Sequence, residues 1–300
     1  MRFDDVLFFP VTVFAESGAV DAELTAEHIR SRLPDGPGGV FAACGTGEFH
    51  ALSAAEVGVV TRAAVGVVAG SVPVVAGAGG PLGHAVECAR AAADAGADAL
   101  LVLPPYLVNA PMSGIVAYVE AVIAASPLPV IVYHRANARL DEQAVARLAA
   151  NARVVGFKDG VGDVGVAQQL VRAVAASGRD DIALFNGLLT AELTQQAYRA
   201  LGIPLYSSAV FAMAPKVAKA YYRAYESNDE ARRLELLDRF YLPLVRLRDR
   251  VPGYAVALIK AGVRLSGLPV GSVRAPLVDP GADDLAELQR ILAIGEELVA

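Results

Sequence analysis

Short apolar segments recur along the first two thirds of the chain, and segments with helical periodicity separate them. The apolar segments are rich in Val, Ile and Leu without strict polar alternation, which is typical of strands buried on both faces. They are Val6–Val13, Gly39–Ala43, Pro73–Gly77, Ala99–Leu103, Pro129–Tyr133, Val154–Lys158, Ile182–Phe185 and Ile203–Tyr206. Strand alternating with helix through eight repeats predicts an α/β fold, a closed (β/α)8 TIM barrel.

Three of the predicted helices carry signals for their first residue. Asp21 and Asp141 are expected to cap two of them, and Ser53 with Glu56 forms a capping box for a third. A doubly wound open sheet is the competing topology, and it would usually carry a Gly-rich dinucleotide loop after its first strand. Residues 77–83 resemble such a loop, but the third glycine is displaced by one residue and the loop follows the third strand. We interpret this segment as a tight turn at the barrel mouth.

The chain changes character after Ser207. From Pro215 to Ala300 only helical patterns occur, interrupted at Pro252-Gly253 and by the loop Gly267–Gly281. The first of these helices is expected to close the barrel, and the later ones form a C-terminal helical extension. We therefore predict a barrel catalytic domain over residues 1–228 and a helical bundle over residues 229–300.

The composition and charge of the chain argue against several classes of protein, including nucleic-acid-binding and membrane-spanning ones. The 300 residues carry a net charge of −6 and contain no basic stripe, which argues against a nucleic-acid partner. The longest apolar stretch, residues 63–79, is broken by glycine and proline, so we predict no membrane span. Asp4 and Asp5 stand where a signal peptide needs positive charge, and Cys44 and Cys88 follow no motif spacing. We expect a soluble, cytoplasmic protein.

Lys158 is the sharpest chemical signal. It is one of four lysines among twenty-six basic residues, and the other three fall within helical segments. Strand alternation puts Lys158 on the same face as Val154 and Gly156, pointing into the barrel. Burial lowers the pKa of an amine and favours its free form, the species that condenses with a ketone. The alternative is a structural lysine paired with a neighbouring carboxylate such as Asp159.

Other polar residues collect at the ends of the predicted strands, where barrel enzymes carry their active sites. Tyr133 ends the strand next to that of Lys158, and adjacent strands lie about 4.8 Å apart. Its phenol is a candidate proton shuttle; the alternative is a tyrosine that caps the core. The turn Gly45-Thr46-Gly47 suits a substrate carboxylate, which its backbone N–H groups and hydroxyl would bind. We expect Glu48 to hold this loop.

The four histidines follow no metal-ligand spacing, and neither H-E-x-x-H nor C-x-x-C occurs. His134 should point away from Tyr133 and serve in packing. We therefore expect no metal and no cofactor.

The chain resembles the dihydrodipicolinate synthase / N-acetylneuraminate lyase superfamily over nearly its whole length. The matching elements are Phe9-Pro10-Val11-Thr12, Gly45-Thr46-Gly47-Glu48, Tyr133 and Gly156-Phe157-Lys158-Asp159. The resemblance implies that Lys158 forms a Schiff base with a 2-keto acid and that Tyr133 relays protons. It also implies a homo-oligomer, usually a tetramer.

Longer strings resemble one branch of that superfamily, enzymes that dehydrate and decarboxylate a 2-keto sugar acid. The strings are Gly45–Phe49, Leu103–Leu107, Gly156–Asp163, Tyr206–Phe211 and Pro252–Val256. Gly45 and Leu107 replace a threonine and a tyrosine of the synthase's proton relay, and Cys44 and His50 are unusual neighbours of the second-strand motif. The residues expected to hold the distal hydroxyls and second carboxylate are Arg135, Asn137, Asn186 and Ser207.

Arg135 is the foremost of these four because a guanidinium suits a carboxylate, although a surface salt bridge is an alternative role for it. Two other functions stay open. A 2-keto-3-deoxy sugar-acid aldolase or a synthase-like lyase would use the same lysine, with an aldolase releasing pyruvate rather than CO2. A barrel that binds a sugar acid without turnover belongs to a different class.

Overall fold

A computed structural model describes residues 3–300, and in it eight parallel strands form a closed barrel. Each strand pairs with the next in chain order, and the eighth pairs with the first. The strands are β1 (Leu7–Phe8), β2 (Gly39–Ala42), β3 (Val74–Ala78), β4 (Ala99–Val102), β5 (Val130–His134), β6 (Val154–Asp159), β7 (Ala183–Asn186) and β8 (Leu205–Ser208). The predicted barrel is confirmed, and every predicted strand overlaps an observed one.

The first strand is much shorter than predicted, since only Leu7–Phe8 of Val6–Val13 joins the sheet. Pro10 has no N–H to offer a ladder. Farther along, the Val13 N–H donates to Thr25 Oγ1 at 3.2 Å. The rest of this segment therefore runs as a loop over the barrel end.

Helices surround the barrel and continue beyond it. They are α1 (Ala22–Arg30), α2 (Ala54–Val68), α3 (Leu82–Asp94), α4 (Met112–Ala125), α5 (Glu142–Ala149), α6 (Val164–Ala176), α7 (Gln195–Leu201), α8 (Val210–Met213), α9 (Pro215–Ser227), α10 (Glu230–Leu236), α11 (Leu242–Arg248), α12 (Tyr254–Leu265) and α13 (Ala282–Val299), with 3-10 turns at Leu33–Asp35, Phe49–Ala51 and Ala191–Leu193 and a π-helical turn at Leu237–Tyr241. Asp21 and Asp141 cap α1 and α5, and Ser53 with Glu56 forms the predicted capping box of α2. No helix in the described part of the chain has the length and apolar character needed to cross a membrane.

The glycine-rich segment after β3 is a turn, as predicted. The strand ends at Ala78 and α3 begins at Leu82. Glycine is needed at position 77 because the backbone of Ala43 packs closely against it. A Cβ on Gly77 would lie 2.3 Å from the carbonyl oxygen of Ala43.

Side chains alternate between the barrel interior and the layer beneath the helices, with one interruption in β6. The interior set includes Leu7, Phe9, Phe41, Val75, Leu101, Ile131, Tyr133 and Phe185. The prediction that Val154 shares the interior face with Lys158 is wrong, because Val154 packs in the outer layer. The β5–β6 register shifts between Val130 and Ile131, pairing Ile131 with Gly156, and beyond this bulge Gly156 faces the interior.

The C-terminal helices pack on the barrel rather than standing apart from it. The predicted boundary falls at Asn228, the left-handed residue between α9 and α10. One hydrophobic core crosses this boundary, and α13 packs against α9, α11 and α12. The division into two domains stays a prediction.

Candidate active site

A cavity of about 1190 Å³ opens at the carboxyl ends of the strands. This is the end at which barrel enzymes carry their active sites. The predicted site residues that line it are Gly45, Thr46, Tyr133, Arg135, Asn137, Lys158 and Ser207. Gly47 and Asn186 do not line it.

Lys158 projects from β6 into the base of the cavity and is 5% exposed. Its Nζ lies 4.2 Å from the ring centroid of Phe9 and 4.6 Å from that of Tyr133. Burial lowers the pKa of Lys158 to about 7, so much of the amine is unprotonated at neutral pH. The Asp159 carboxylate lies on the outer side of β6, where it accepts from the Tyr198 hydroxyl at 2.5 Å. The alternative of a structural ion pair between Lys158 and Asp159 is therefore not observed.

Tyr133 faces Lys158 across the β5–β6 ladder, where the two residues are register partners. Its hydroxyl donates to the Gly187 carbonyl oxygen at 2.6 Å and accepts from Arg135 Nη1 at 2.8 Å. Burial raises the pKa of this phenol, and the Arg135 guanidinium opposes the rise. The hydroxyl thus keeps its proton beside the Lys158 amine. Arg135 donates a hydrogen bond to it, and the Gly187 carbonyl oxygen accepts one from it.

Arg135 and Asn137 occupy the loop after β5, and both reach the cavity. Arg135 makes no salt bridge within residues 3–300, so the surface-salt-bridge alternative is not observed. Asn137 Nδ2 donates to the carbonyl oxygens of Pro105 at 3.0 Å and Val108 at 2.6 Å, which fastens the loop after β4 at the cavity mouth.

The turn after β2 presents Gly45 and Thr46 to the cavity. Gly47 does not line the cavity, and its carbonyl oxygen accepts from Thr12 Oγ1 at 2.7 Å, so its predicted contact with substrate stays a prediction. Glu48 is fully buried and adopts a left-handed backbone conformation with φ 58°. Its carboxylate pairs with another element rather than facing the cavity, which agrees with a loop-holding role.

Asn186 was expected to contact substrate, and the structure does not support this. Alternation along β7 turns Phe185 inward and Asn186 outward. Asn186 Nδ2 donates to Thr194 Oγ1 at 2.9 Å and Gln195 Oε1 at 3.2 Å, so its amide is engaged beneath the helices. Ser207 on β8 does reach the cavity.

Two residues that complete the site were not predicted as site residues from the sequence, although Phe9 belongs to one of the strings that carry the family resemblance. Phe9 lies beside the Lys158 amine, and Gly187 leaves the space that the lysine occupies. A Cβ on Gly187 would lie 2.7 Å from Lys158 Cε and 2.8 Å from Tyr133 Cε2. The Asn186-Gly187 pair directly after a strand was the available signal for the glycine.

The remaining cysteine and histidine candidates have ordinary roles. Cys44 packs in the barrel interior, where burial raises the pKa of its thiol to about 12. His134 is buried in the outer face of β5, and burial lowers its pKa, as suits a packing residue. His50 is exposed at the cavity mouth. Among residues 3–300, no three His, Cys, Asp or Glu side chains are grouped to hold a metal ion.

The sequence and fold of the chain match those of known proteins. A family model described as the dihydrodipicolinate synthetase family matches residues 2–294. The chain belongs to this family. Among curated relatives, a probable 5-dehydro-4-deoxyglucarate dehydratase 1 of Streptomyces coelicolor is 51% identical, covering 98% of this chain and 93% of its own length. A probable 5-dehydro-4-deoxyglucarate dehydratase of Streptomyces griseus is also 51% identical, covering 98% and 92%.

A solved structure agrees with this assignment. The crystal structure of dihydrodipicolinate synthase from Oceanobacillus iheyensis has a TM-score of 0.89 and 26% identity, covering 99% of this chain and 97% of its own. Membership of the dihydrodipicolinate synthetase family therefore extends through the C-terminal helices. The superfamily resemblance that short strings indicated is confirmed.

Proposed function

We propose that this protein is a 5-dehydro-4-deoxyglucarate dehydratase, which converts its substrate to 2,5-dioxopentanoate, CO2 and water through a Schiff base on Lys158. The observation that carries the proposal is the buried Lys158 amine, with its pKa lowered to about 7, beside the Tyr133 hydroxyl. The relatives that cover nearly the whole chain at about half identity bear this enzyme's name.

The first half of the reaction makes the lysine an electron sink. With carbons numbered from the 2-keto carboxylate, the Lys158 amine adds to C2 and water leaves, giving an iminium. The iminium acidifies C3–H, and loss of that proton gives an enamine. The enamine expels the C4 hydroxyl as water, leaving an iminium conjugated through C3 and C4.

The second half uses the same nitrogen. The C5–C6 bond breaks, C6 leaves as CO2, and its electron pair flows through C4 and C3 to nitrogen. Protonation at C4 and C3 turns the C5 enol into an aldehyde and restores the iminium. Hydrolysis then releases 2,5-dioxopentanoate and the free amine, so the amine serves two eliminations without being consumed.

The cavity residues divide between the two ends of the substrate. The Gly45-Thr46 turn would bind the C1 carboxylate, and Tyr133 would carry protons to the carbinolamine and to the departing C4 oxygen. Arg135 would bind the C6 carboxylate, with Asn137 and Ser207 near the distal hydroxyls. Arg135 also donates to Tyr133, which would couple the distal carboxylate to the proton carrier.

Product analysis separates this function from its rivals. Purified protein is incubated with 5-dehydro-4-deoxyglucarate, and CO2, 2,5-dioxopentanoate and pyruvate are quantified. The dehydratase releases CO2 and the dioxo acid in equal amounts; pyruvate without CO2 would identify an aldolase. No turnover, together with retained binding, would identify a non-catalytic sugar-acid-binding barrel.

The protein is further proposed to act in the cytoplasm as a homo-oligomer, specifically a tetramer. The loop after β4 exposes Tyr106, Leu107 and Val108, by 65%, 86% and 56%. Contiguous exposed apolar side chains of this kind favour a protein contact. Light scattering of the purified protein tests the assembly, and a monomer at micromolar concentration would contradict it.

A further inference from the structure

A buried ion pair joins the turn after β2 to the C-terminal helices. Lys260 on α12 donates from Nζ to Glu48 Oε1 at 2.7 Å, and both side chains are 0% exposed. The second carboxylate oxygen, Glu48 Oε2, accepts the backbone N–H of Arg274 at 2.8 Å. Lys260 Nζ also lies 4.0 Å from the ring centroid of Phe14. The Glu48 carboxylate is therefore bound by residues that do not line the cavity.

This pair sits directly behind the proposed carboxylate-binding turn. Glu48 follows Thr46 by two residues, so their Cα atoms lie no more than roughly 7 Å apart. Thr46 lines the cavity, whereas Glu48 and Lys260 do not. A bound anion would thus have a buried glutamate as a near neighbour.

Burying two charges is expensive, and well-packed apolar residues often serve stability as well or better. The pair therefore calls for a reason beyond stability. An unpaired Glu48 charge would repel an anion on the turn. Lys260 cancels that charge.

We propose that Lys260 is a positioning residue for substrate binding. By neutralising the Glu48 carboxylate behind the Gly45-Thr46 turn, it removes a negative charge that would otherwise weaken binding of the C1 carboxylate to that turn. The C-terminal helical segment is then part of the substrate site rather than an appendage. The inference rests on the proposed function in one respect, that Lys158 forms an imine with a 2-keto acid.

Two small ketones isolate the effect. Pyruvate carries the 2-keto carboxylate alone, and hydroxyacetone is a ketone of similar size without the carboxylate. Each is titrated against the full-length protein, borohydride traps the imine, and the half-saturating concentration is read from the mass of the adduct. Lys260→Met nearly preserves side-chain volume and leaves Glu48 without its cation.

For Lys260→Met, the half-saturating pyruvate concentration is expected to rise about 15-fold, the effect of one uncompensated charge about 10 Å from an anion at an effective dielectric near 20. The value for hydroxyacetone should change less than twofold. The double variant Glu48→Gln/Lys260→Met has no charge at this place and should recover pyruvate binding. Lys219→Met is the matched control, because Lys219 makes a 2.5 Å pair with Asp5 away from the cavity.

The outcomes are distinct. Equal losses for pyruvate and hydroxyacetone, or no recovery in the double variant, would mean that Lys260 acts only in folding and would overturn the proposal. Wild-type pyruvate binding in Lys260→Met would overturn it as well. If the wild-type protein forms no adduct with either ketone, the Schiff-base function itself fails, and this inference with it. If Lys260→Met unfolds, Glu48→Gln decides: it should bind pyruvate at least as well as the wild type, and weaker binding refutes the proposal.

Discussion

Gly187 provides a test of the contact between the lysine and the tyrosine. The Gly187→Ala substitution adds one methyl group at a place where Lys158 Cε, Lys158 Cγ and Tyr133 Cε2 would lie 2.7, 2.8 and 2.8 Å away. Ordinary contacts of a Cβ fall between 3.4 and 4 Å. The lysine and the phenol ring must therefore both retreat, or the strand end must shift.

The size of the effect follows from that overlap. Relieving it requires a displacement of about 0.7 Å, and a misplacement near 1 Å typically lowers a rate by about 100-fold. We therefore expect kcat to fall by about 100-fold. The free energy of unfolding should fall by about 1–3 kcal/mol, as for other overpacked sites, so the protein stays folded.

The assay is kcat for CO2 release, accompanied by thermal unfolding and by borohydride trapping at saturating substrate. Gly83→Ala is the matched control, because Gly83 on α3 has no atom within 4 Å of an added Cβ. It should leave kcat unchanged and stability the same or slightly higher. A wild-type kcat in Gly187→Ala would refute the claim that catalysis depends on the Lys158–Tyr133 geometry.

Three further predictions address the same pair. Tyr133→Phe removes the hydroxyl that bonds Gly187 and Arg135, and kcat should fall by about 100-fold or more, the usual contribution of a proton-transfer group; a rate near wild type would reject the relay. Imine trapping at low ketone concentration should accelerate as pH rises toward 7 and level off above it, because the pKa of Lys158 is lowered to about 7; an increase continuing to pH 10 would indicate an unperturbed lysine. The same lowered pKa means that the unfolded chain binds more protons than the folded one between about pH 7 and 10.5, so Lys158 lowers stability most at or below pH 7. Lys158→Met should therefore raise the melting temperature more at pH 6 than at pH 9, and an equal or smaller gain at pH 6 would contradict this sign.

The fold and the reactive pair were accessible from the sequence because local patterns encode them. A strand end locates Lys158 at the barrel mouth, and chain order puts Tyr133 on the adjacent strand. The bulge in β6 is different, because it depends on how two strands pair. Alternation counted from Val154 nevertheless gave the correct direction for Lys158, since Gly156 and Lys158 lie on the same side beyond the bulge.

The errors and omissions involve contacts that a strand makes with other segments of the chain. Asn186 and Phe185 are neighbours at a strand end, and only the amide partners on the following segment show that the asparagine faces outward. The Glu48–Lys260 pair joins residues 212 positions apart. No local pattern contains such a contact, which is why the role of the C-terminal helices at the site emerged only from the structure.

The most direct test of the central claim is the position of the trapped adduct. The protein is incubated with 5-dehydro-4-deoxyglucarate, reduced with borohydride, digested and sequenced by mass spectrometry. We predict one adduct per chain, on Lys158, and none in Lys158→Met. Unmodified Lys158 during active turnover, or an adduct only on Lys216, Lys219 or Lys260, would contradict it.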